Sequence, residues 1–302
     1  MNKSHQFVFF LVLFTIGLDF FLGGFVYNKL YFSEKSKSQD RLIHSAIGTN
    51  EDILIFGSSR AYHHYDPEVF EKELNLSCFN VGYGGQNIYF HLALLKSALE
   101  RKKPQIVILD LMHYDFQLIN NKDEDEKLGV LLPFVHESNV IKETVFRRSS
   151  FEKIKLLSSI YPLNSKQLYM LRNNLTSSRS DFKGYVGLER VWEKPIETKE
   201  VKQIDIDENK MKAIDDFINL CKKNDIKIFI CVSPHYLDFK GKTEYDVLAK
   251  NLNTKHQLEI INFENNPDFF KNSQYFSDAH HLNKTGSNLY SKEIAKLIKN
   301  HH

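Results

Sequence analysis

Three short segments of the sequence carry residue types that could act together on an acyl ester. Gly-Ser-Ser at 57–59 follows an apolar run, and a serine on a tight turn after a strand is exposed beside backbone N–H groups that can stabilise an oxyanion. The glycines at 80–85 let the backbone approach a ligand closely. Asp278 precedes His281 by three residues, so its carboxylate can hold the imidazole Nδ1 while Nε2 takes a proton from a serine.

None of the three segments is diagnostic alone. A serine after a strand is commonly only a helix cap. The glycines at 80–85 lack the G-x-G-x-x-G spacing of a dinucleotide-binding loop, and they follow the second predicted strand rather than the first. The ordered set of serine turn, glycine loop and C-terminal Asp-x-x-His is therefore the informative feature.

The elements that must position these segments alternate between apolar strands and amphipathic helices. Stripes such as Ile88, Leu92 and Leu99 are typical of helices that separate buried strands. The alternation predicts an α/β fold of three layers, α/β/α, with a parallel sheet covered on both faces and ligands at the carboxyl ends of its strands. The predicted strands lie at 52–59, 76–81, 106–111, 226–232 and 258–263, and the predicted helices begin near 66, 87, 208, 242 and 284.

A long segment at 113–205 interrupts this alternation. It holds an acidic run at 123–126 (DEDE), followed by helical stretches in which nine Lys or Arg between 142 and 183 accompany only three acidic residues. Such a segment can be a cap over an active site, a surface for anionic glycan or lipid headgroups, or an ordinary solvated helical insertion. The last interpretation is favoured.

The ordered set of segments resembles the SGNH (GDSL-type) hydrolases, particularly the membrane-anchored branch associated with acylation of the bacterial cell envelope. The resemblance covers about 52–111 and 226–300 and leaves the middle insertion unmatched. It implies a three-layer, flavodoxin-like parallel sheet of the SGNH hydrolase type.

The resemblance also implies roles for individual residues. Ser59 would be the nucleophile, His281 the base that takes its proton, and Asp278 the residue that orients the base. The backbone amides of Ser59 and Gly85 would form the oxyanion site. No cofactor is expected.

Two positions depart from the family pattern. The family motif Gly-x-Asn-Asp is replaced by DLMHYD at 110–115, so no asparagine supplies a third oxyanion contact, and the loss of one such donor costs about 10²–10³ in rate. Either His113 or Tyr114 takes that role, or the enzyme transfers acyl groups slowly to a privileged acceptor. Ser58 stands where the family has Asp, so it remains an alternative nucleophile although the register favours Ser59.

The resemblance implies that the protein is an esterase or an O-acyltransferase. It would act on acyl esters, expected to be acetyl esters, of a cell-envelope glycan. An acylated carbohydrate would be the substrate, and an integral membrane acyltransferase would be a partner. The alternative is a catalytically decayed accessory protein that keeps the fold and binds such an acyltransferase. Neither hydrolysis nor transfer is favoured by the residues themselves.

Two further histidines lie near the predicted carboxyl ends of strands. His63 closely follows the serine turn and His235 follows the strand at 226–232, so both are expected to line the pocket. With His280 they could instead bind a metal, but no carboxylate or cysteine stands at ligand spacing, and no metal site is predicted.

The segment 7–27 (FVFFLVLFTIGLDFFLGGFVY) holds seven of the 24 phenylalanines and is long enough, at about 31 Å, to cross a hydrocarbon core. It predicts an uncleaved transmembrane anchor over 1–32, followed by one SGNH-like domain over 33–302. Asp19 in the span indicates either a partner or a protonated acid in a lone helix. The domain is expected outside the cytoplasmic membrane, although the basic residues after the span would place it in the cytoplasm as a tethered lipase.

The composition excludes several other classes of protein. The chain of 302 residues has a net charge of +2, which gives no basic field to gather nucleic acid. Its three cysteines cannot form a disulfide framework, and Cys221 and Cys231 fall on apolar faces that are typical of core thiols.

Overall fold

The computed structural model describes residues 2–119, 121–164, 166–175, 183–200, 205–240, 244–270 and 272–300. Their contacts divide the chain into two compact units. The anchor unit comprises Met1–Gly48 and Leu128–Arg179, and the sheet unit comprises Thr49–Lys127 and Ser180–His302. The predicted insertion at 113–205 is thus shared, because 128–179 belongs with the N-terminal helix and the rest of it with the sheet. The interval 176–182 and the interval 201–204 lie outside the described residues.

The described part of the sheet unit has seven strands: β1 (Ile53–Phe56), β2 (Cys78–Asn80), β3 (Ile106–Asp110), β4 (Glu197–Glu200), β5 (Lys227–Val232), β6 (Leu237–Lys240) and β7 (Ile260–Asn262). Five of these described strands form one parallel sheet in the order β2-β1-β3-β5-β7, and β4 and β6 form a separate parallel pair. When the strands of the main sheet alone are counted, this is the order 2-1-3-4-5 of doubly wound, flavodoxin-like sheets.

Alternate residues of β1 face opposite helical layers. Ile53 and Ile55 join a buried cluster with Phe70 and Tyr290 from one layer. The Phe56 ring points the other way and lies 5.3 Å from the ring of Phe217 in the second layer. Because residues i and i+2 of a strand share a face, apolar residues along the whole strand require helices on both sides. The sheet unit is therefore the three-layer α/β/α arrangement that the alternation predicts.

Polar capping residues mark the starts of several helices of the sheet unit. Asp66 caps a helix that has Pro67 as its first residue, and the Asn87 and Asp207 side chains accept hydrogen bonds from amides of the first turns that they precede. The helices of the sheet unit, capped in this way or not, are Ser59–His64, Pro67–Leu74, Ile88–Leu99, Asn121–Glu126, Glu208–Lys223, Glu244–His256 and Lys284–Asn300, with 3₁₀ turns at His113–Phe116 and Ser273–Tyr275.

The anchor unit begins with one continuous helix, Lys3–Tyr31, whose stretch Phe20–Tyr27 has π-helical hydrogen bonding. Its 29 residues, about 43 Å at 1.5 Å per residue, are long and apolar enough to cross a membrane. Asp19 in this helix has partners within the chain, since it accepts hydrogen bonds from residues 158–160. The remaining helical elements are Glu34–Gln39, Arg41–Ile43, His44–Gly48, Lys127–Phe134 (which crosses from the sheet unit), Asn139–Val145, Phe146–Arg148, Glu152–Lys155, Tyr161–Leu163 and Gln167–Leu175.

Candidate active site

The serine turn is formed where β1 ends and the helix Ser59–His64 begins. Gly57 has a φ of +140°, a backbone conformation that residues with a side chain rarely adopt. A Cβ atom at Gly57 would lie 2.6 Å from the carbonyl oxygen of Asp110 and 2.8 Å from the Cβ of Ala61. Glycine is thus required there, because the turn must pass against β3 for Ser59 to emerge at the first position of the helix.

The C-terminal turn brings His281 to this serine. The Nε2 atom of His281 lies 2.9 Å from the Ser59 Oγ, although the two residues are 222 positions apart in the chain. The Nδ1 atom of the same ring lies 2.9 Å from Asp278 Oδ2. A carboxylate only accepts, so Nδ1 carries the proton and Nε2 is left to accept from the serine hydroxyl.

Asp278 is held in its ionised form. Burial favours the neutral acid, but hydrogen bonds from the His281 ring and from the backbone amides of His280 and His281 outweigh it, so the pKa of Asp278 falls to about 2. The two amides donate to Oδ1 over 2.8 and 3.0 Å. The carboxylate is therefore charged at neutral pH and oriented by its own turn.

The turn itself is fixed by its flanks. The Ser277 amide donates to the His281 carbonyl over 2.8 Å, which closes the loop that carries both Asp278 and His281. Asn283, directly before the final helix, accepts from the Gly286 amide and donates to the Gln274 carbonyl. The short Asp-x-x-His segment is thus a closed loop anchored to the helix Lys284–Asn300.

The glycine loop after β2 passes beside the serine turn. A Cβ atom at Gly84 would lie 3.7 Å from the Ser59 Cβ, and the Gly85 amide donates to the Ser58 Oγ over 3.2 Å. The two adjacent serines therefore face different groups: Ser59 contacts His281, whereas Ser58 contacts the amide that the resemblance assigns to the oxyanion site.

A buried polar network lies under the serine turn and was not singled out from the sequence. Asp110, at the end of β3, accepts from the Tyr65 hydroxyl over 2.6 Å and from the Ser233 amide over 3.1 Å. Arg60 lies 3.5 Å from the Asp110 carboxylate, and its guanidinium donates to the Leu111 and Ser233 carbonyls. Burial raises the pKa of Asp110, and the Arg60 charge works against that shift. The available signals were the Arg directly after the serine and the Asp at a strand end.

This network fixes the residue that follows the nucleophile candidate. Arg60 is almost completely buried, as are Tyr65 and Asp110. Buried charges are found where they are paired and hydrogen-bonded, and a network of this kind specifies one arrangement of the elements that it joins. It therefore ties the helix Ser59–His64 to the ends of β3 and β5.

His64 is a buried histidine with a fixed tautomer. Its Nε2 accepts from the Leu282 amide over 2.9 Å, so the opposite nitrogen, Nδ1, carries the proton and donates to the Ser233 Oγ over 2.9 Å. Burial, together with the charges of His281 and Arg60, lowers the pKa of His64 well below its usual value. His64 is thus neutral, and it joins the helix Ser59–His64 (the serine helix) to the turn that carries His281.

The predicted pocket histidines have different surroundings. The His63 ring is half-buried and its centroid lies 5.3 Å from that of His281, while its Nδ1 contacts the Val186 carbonyl. His235 is 3% exposed and its Nε2 lies 2.9 Å from Glu264 Oε1. Burial lowers the pKa of His235, although the hydrogen bond to Glu264 works against that shift. His63 is therefore beside the candidate triad, whereas His235 is a packed side chain with a carboxylate partner.

Two predicted residues cannot be placed. His113 and Tyr114 belong to the 3₁₀ turn His113–Phe116, but their side chains lie outside the described residues. In the same turn Asp115 is half-buried, and desolvation of its carboxyl group raises its pKa to about 7. One carboxylate oxygen of Asp115 accepts from the Met112 amide over 2.6 Å.

The segment 183–192 borders the site, and nothing local in the sequence indicates this. The Asn80 amide donates to the Lys183 carbonyl, and the Val186 amide donates to the Tyr62 carbonyl. Gly184 has a φ of +85°, and a Cβ there would lie 1.9 Å from the Asn80 carbonyl oxygen. This return segment of the insertion therefore packs directly on the second strand and on the serine helix.

Over the part of the chain that the structure describes, no group of three or more His, Cys, Asp or Glu side chains is placed to hold a metal ion. Cys78, Cys221 and Cys231 are free and buried. Burial raises the pKa of Cys221 to about 12. The described residues that can carry proton-transfer and nucleophilic chemistry together are Ser59, His281 and Asp278.

No protein-family model matches this chain, and no curated protein matches it in sequence. The chemistry of the site therefore rests on its own geometry. A hydroxyl, an imidazole and a carboxylate in one hydrogen-bonded line can transfer a proton away from the hydroxyl while it attacks a carbonyl carbon.

Proposed function

We propose that the chain is a membrane-anchored serine esterase or O-acyltransferase of the SGNH type. One observation carries the proposal: Ser59 Oγ, His281 and Asp278 form a continuous hydrogen-bonded line with distances of 2.9 Å at each step. Nucleophile, base and orienting carboxylate arranged in this way define the triad chemistry of acyl transfer.

The first chemical step follows from the hydrogen bonds. Ser59 Oγ attacks the carbonyl carbon of the ester as its proton moves to His281 Nε2, and the carbonyl electron pair moves onto the oxygen. Asp278 stabilises the imidazolium that forms, because its carboxylate is charged and contacts Nδ1. The intermediate collapses with cleavage of the ester C–O bond, and His281 returns the proton to the departing alkoxide.

The oxyanion would meet backbone amides. The Ser59 amide belongs to the first turn of a helix, where amides have no acceptor within the helix. The Gly85 amide is near but donates to the Ser58 Oγ, so a substrate oxygen must replace that hydroxyl as its acceptor. The acyl group on Ser59 then passes to water in an esterase or to a sugar hydroxyl in an O-acyltransferase.

The remaining parts of the proposal come from the resemblance to SGNH hydrolases. The helix Lys3–Tyr31 is proposed to span the cytoplasmic membrane, with the sheet unit on the extracytoplasmic side. The proposed substrate is an acylated cell-envelope glycan, and the proposed partner is an integral membrane acyltransferase. Alkaline phosphatase fused after residue 302 tests the side of the membrane, since the enzyme is active only outside the cytoplasm.

A fluorophosphonate probe tests the chemistry directly, because it labels only an activated serine. The full-length protein in detergent is expected to be labelled, and Ser59→Ala is expected to abolish both labelling and hydrolysis of p-nitrophenyl acetate. Ser58→Ala is the matched control, since it removes the neighbouring hydroxyl that contacts Gly85 but not His281. Labelling that survives Ser59→Ala and disappears in Ser58→Ala would assign the nucleophile to Ser58.

A second candidate function is a non-catalytic accessory protein with the same fold. Two observations favour it: the Gly85 amide is engaged by Ser58, and no asparagine stands in the motif after β3. Folded wild-type protein that neither reacts with the probe nor hydrolyses the ester would support this candidate over the enzyme.

A further inference from the structure

Besides the spanning helix, two short stretches in the described part of the anchor unit expose large apolar side chains to solvent. The first comprises Phe151, Ile154 and Leu157, which recur at intervals of three residues, and Leu157 is 83% exposed. The helix Gln167–Leu175 exposes a second stripe at the spacing i, i+3, i+7, in which Leu168 is 82% exposed. This second stripe consists of Leu168, Leu171 and Leu175.

We propose that these two sets form a second membrane contact, in which they enter the boundary between the headgroups and acyl chains of the bilayer that the helix Lys3–Tyr31 spans. The inference rests on the proposed membrane span. The partner that the basic insertion contacts is then an anionic lipid surface.

The turn that follows Leu157 is attached to the spanning helix. Asp19 accepts from the Ser158 hydroxyl and from the Ser159 amide, each over 2.6 Å. One helical turn later, a Cβ at Gly23 would lie 2.2 Å from the Ser159 carbonyl carbon. The turn is thus in backbone contact with the spanning helix over residues 19–23.

The depth of this attachment along the spanning helix favours contact with lipid. Phe20 is 69% exposed, and Phe21 and Phe25 are also exposed, so the apolar surface of the helix continues beyond Asp19. Twenty residues from Phe7 fill a hydrocarbon core of about 30 Å, which puts Asp19 about 10 Å inside its edge. Interfacial helices sink about 5–10 Å into this boundary. The turn bound at Asp19 therefore places Leu157 at a depth where lipid covers it.

The helix that carries the second stripe is also attached to the spanning helix. Asn174 donates to the Leu30 carbonyl over 3.1 Å and accepts from the Ser33 hydroxyl over 2.8 Å. The rings of Tyr31 and Tyr169 lie 5.9 Å apart. The helix Gln167–Leu175 is consequently bound to the end of the spanning helix, where the chain leaves the bilayer.

Charge favours lipid as the covering partner. Lys153 and Arg172 are exposed beside the two apolar sets, and Lys166 precedes the second. Long cationic side chains next to leucines at an interface place their charges among anionic headgroups while the leucines face the acyl chains. In the apolar boundary, Asp19 also satisfies backbone amides of the turn that lipid could not.

Depth-dependent quenching tests the contact in the full-length chain. Cysteine variants Leu157→Cys and Leu171→Cys, labelled with an environment-sensitive fluorophore, are reconstituted into vesicles of phosphatidylcholine and phosphatidylglycerol that contain brominated acyl chains. The three native cysteines are buried, and any background labelling of them is measured with the wild-type protein. Phe14→Cys reports the span itself, and Lys223→Cys reports a position on an exposed face of the sheet unit.

The expected result is at least a twofold loss of fluorescence at 157, 171 and 14, and none at 223. Quenching at 14 alone would overturn the second contact and leave the span intact. Absence of quenching at 14 would overturn the span and the inference with it. The labels at 157 and 171 could be protected from water in native membranes but not in vesicles that contain this chain alone. That result would assign the surface to another protein and overturn the lipid contact.

Two adjacent glycines provide a matched pair of variants. Gly23→Ala forces the Ser159 backbone away, whereas a Cβ at Gly24 comes no closer than 3.6 Å to its nearest neighbour. Gly23→Ala is expected to lower quenching at 157 at least twofold with quenching at 14 unchanged. Gly24→Ala is expected to leave quenching at both positions unchanged. Equal behaviour of the two variants would contradict the attachment of the turn at Asp19 and Gly23.

Discussion

Two serine–histidine pairs lie in the described part of the sheet unit, and each joins a serine Oγ to an imidazole nitrogen over 2.9 Å. In the first pair, His281 contacts Ser59 through Nε2 and has the Asp278 carboxylate on its other nitrogen. In the second pair, His64 contacts Ser233 through Nδ1 and has the Leu282 amide on its other nitrogen. The two pairs therefore differ in whether the group behind the ring accepts or donates a hydrogen bond.

That difference decides the direction of proton transfer. A carboxylate behind His281 puts the proton on Nδ1, so Nε2 can take a proton from Ser59. A backbone N–H behind His64 occupies the lone pair of Nε2, so Nδ1 must donate to Ser233 and cannot activate it. A serine beside a histidine is thus insufficient evidence for a nucleophile, and the third group has to be identified as well.

Exposure separates the pairs in the same direction. The side chain of His281 is 22% exposed, whereas His64 is completely buried. A substrate can reach Ser59 from outside, but Ser233 is itself buried beside Asp110. The open pair, Ser59 and His281, is therefore placed for chemistry. The buried pair, Ser233 and His64, instead holds the serine helix against the turn that carries His281.

The largest expected effect comes from removing the base of the open pair. His281→Ala is expected to lower the turnover of p-nitrophenyl acetate by about 10⁴-fold or more, because among the described residues no other group contacts the Ser59 hydroxyl to take its proton. Its unfolding midpoint in urea is expected to stay near that of wild type, since the ring is partly exposed. Turnover within tenfold of wild type would remove His281 from the mechanism.

The next effect in size comes from the group behind the ring. Asp278→Asn keeps the shape of the side chain but removes the charge, and its amide N–H₂ can donate to Nδ1 and so favour the wrong tautomer. The expected loss of turnover is about 10³–10⁴-fold, with the fluorophosphonate reaction slowed in parallel. This variant would make the open pair resemble the buried one. An unchanged rate would show that the tautomer of His281 does not distinguish the two pairs.

A smaller effect, on stability rather than rate, is expected at the buried pair. His64→Ala leaves the Leu282 amide and the Ser233 hydroxyl without their partner and creates a cavity, which costs about 3 kcal/mol of unfolding free energy. Urea unfolding of the full chain in detergent measures this loss. His63→Ala is the control, since that neighbouring ring is only half-buried and is expected to cost less than about 1.5 kcal/mol. Equal losses would mean that His64 has no special structural part.

Much of the sheet unit could be predicted because its signals are local. Apolar runs, helix caps and the Asp-x-x-His spacing report on residues a few positions apart, and the strand at 226–232 is found as Lys227–Val232. The SGNH assignment stays a prediction, as do the roles of Ser59, His281 and Asp278.

What the sequence did not reveal depends on residues that are distant in the chain. Ser158 is 139 positions from Asp19, so nothing local indicates that part of the insertion joins the N-terminal helix. The same holds for His64, whose tautomer is set by the Leu282 amide 218 positions away. Arg60 and Asp110 were both visible, but only the packed strands place one against the other.

The smallest expected effect is the pH dependence of the open pair's contribution to stability. The pKa of Asp278 is about 2 in the folded chain and about 3.9 in an unfolded one, so the folded state favours the charged form. Its contribution is fully present above about pH 4 and is lost as the pH falls through about 2. The shift alone corresponds to about 2.6 kcal/mol, but the carboxylate is 41% exposed, and solvent screening reduces the figure to about 1 kcal/mol.

The difference in unfolding free energy between wild type and Asp278→Asn should therefore shrink by about 1 kcal/mol between pH 6 and pH 2, because protonation removes from the wild type the charge that the variant never has. A difference that stays constant over this range would mean that the carboxylate does not prefer its charged form in the folded chain, and the contrast between the two histidines would then rest on exposure alone.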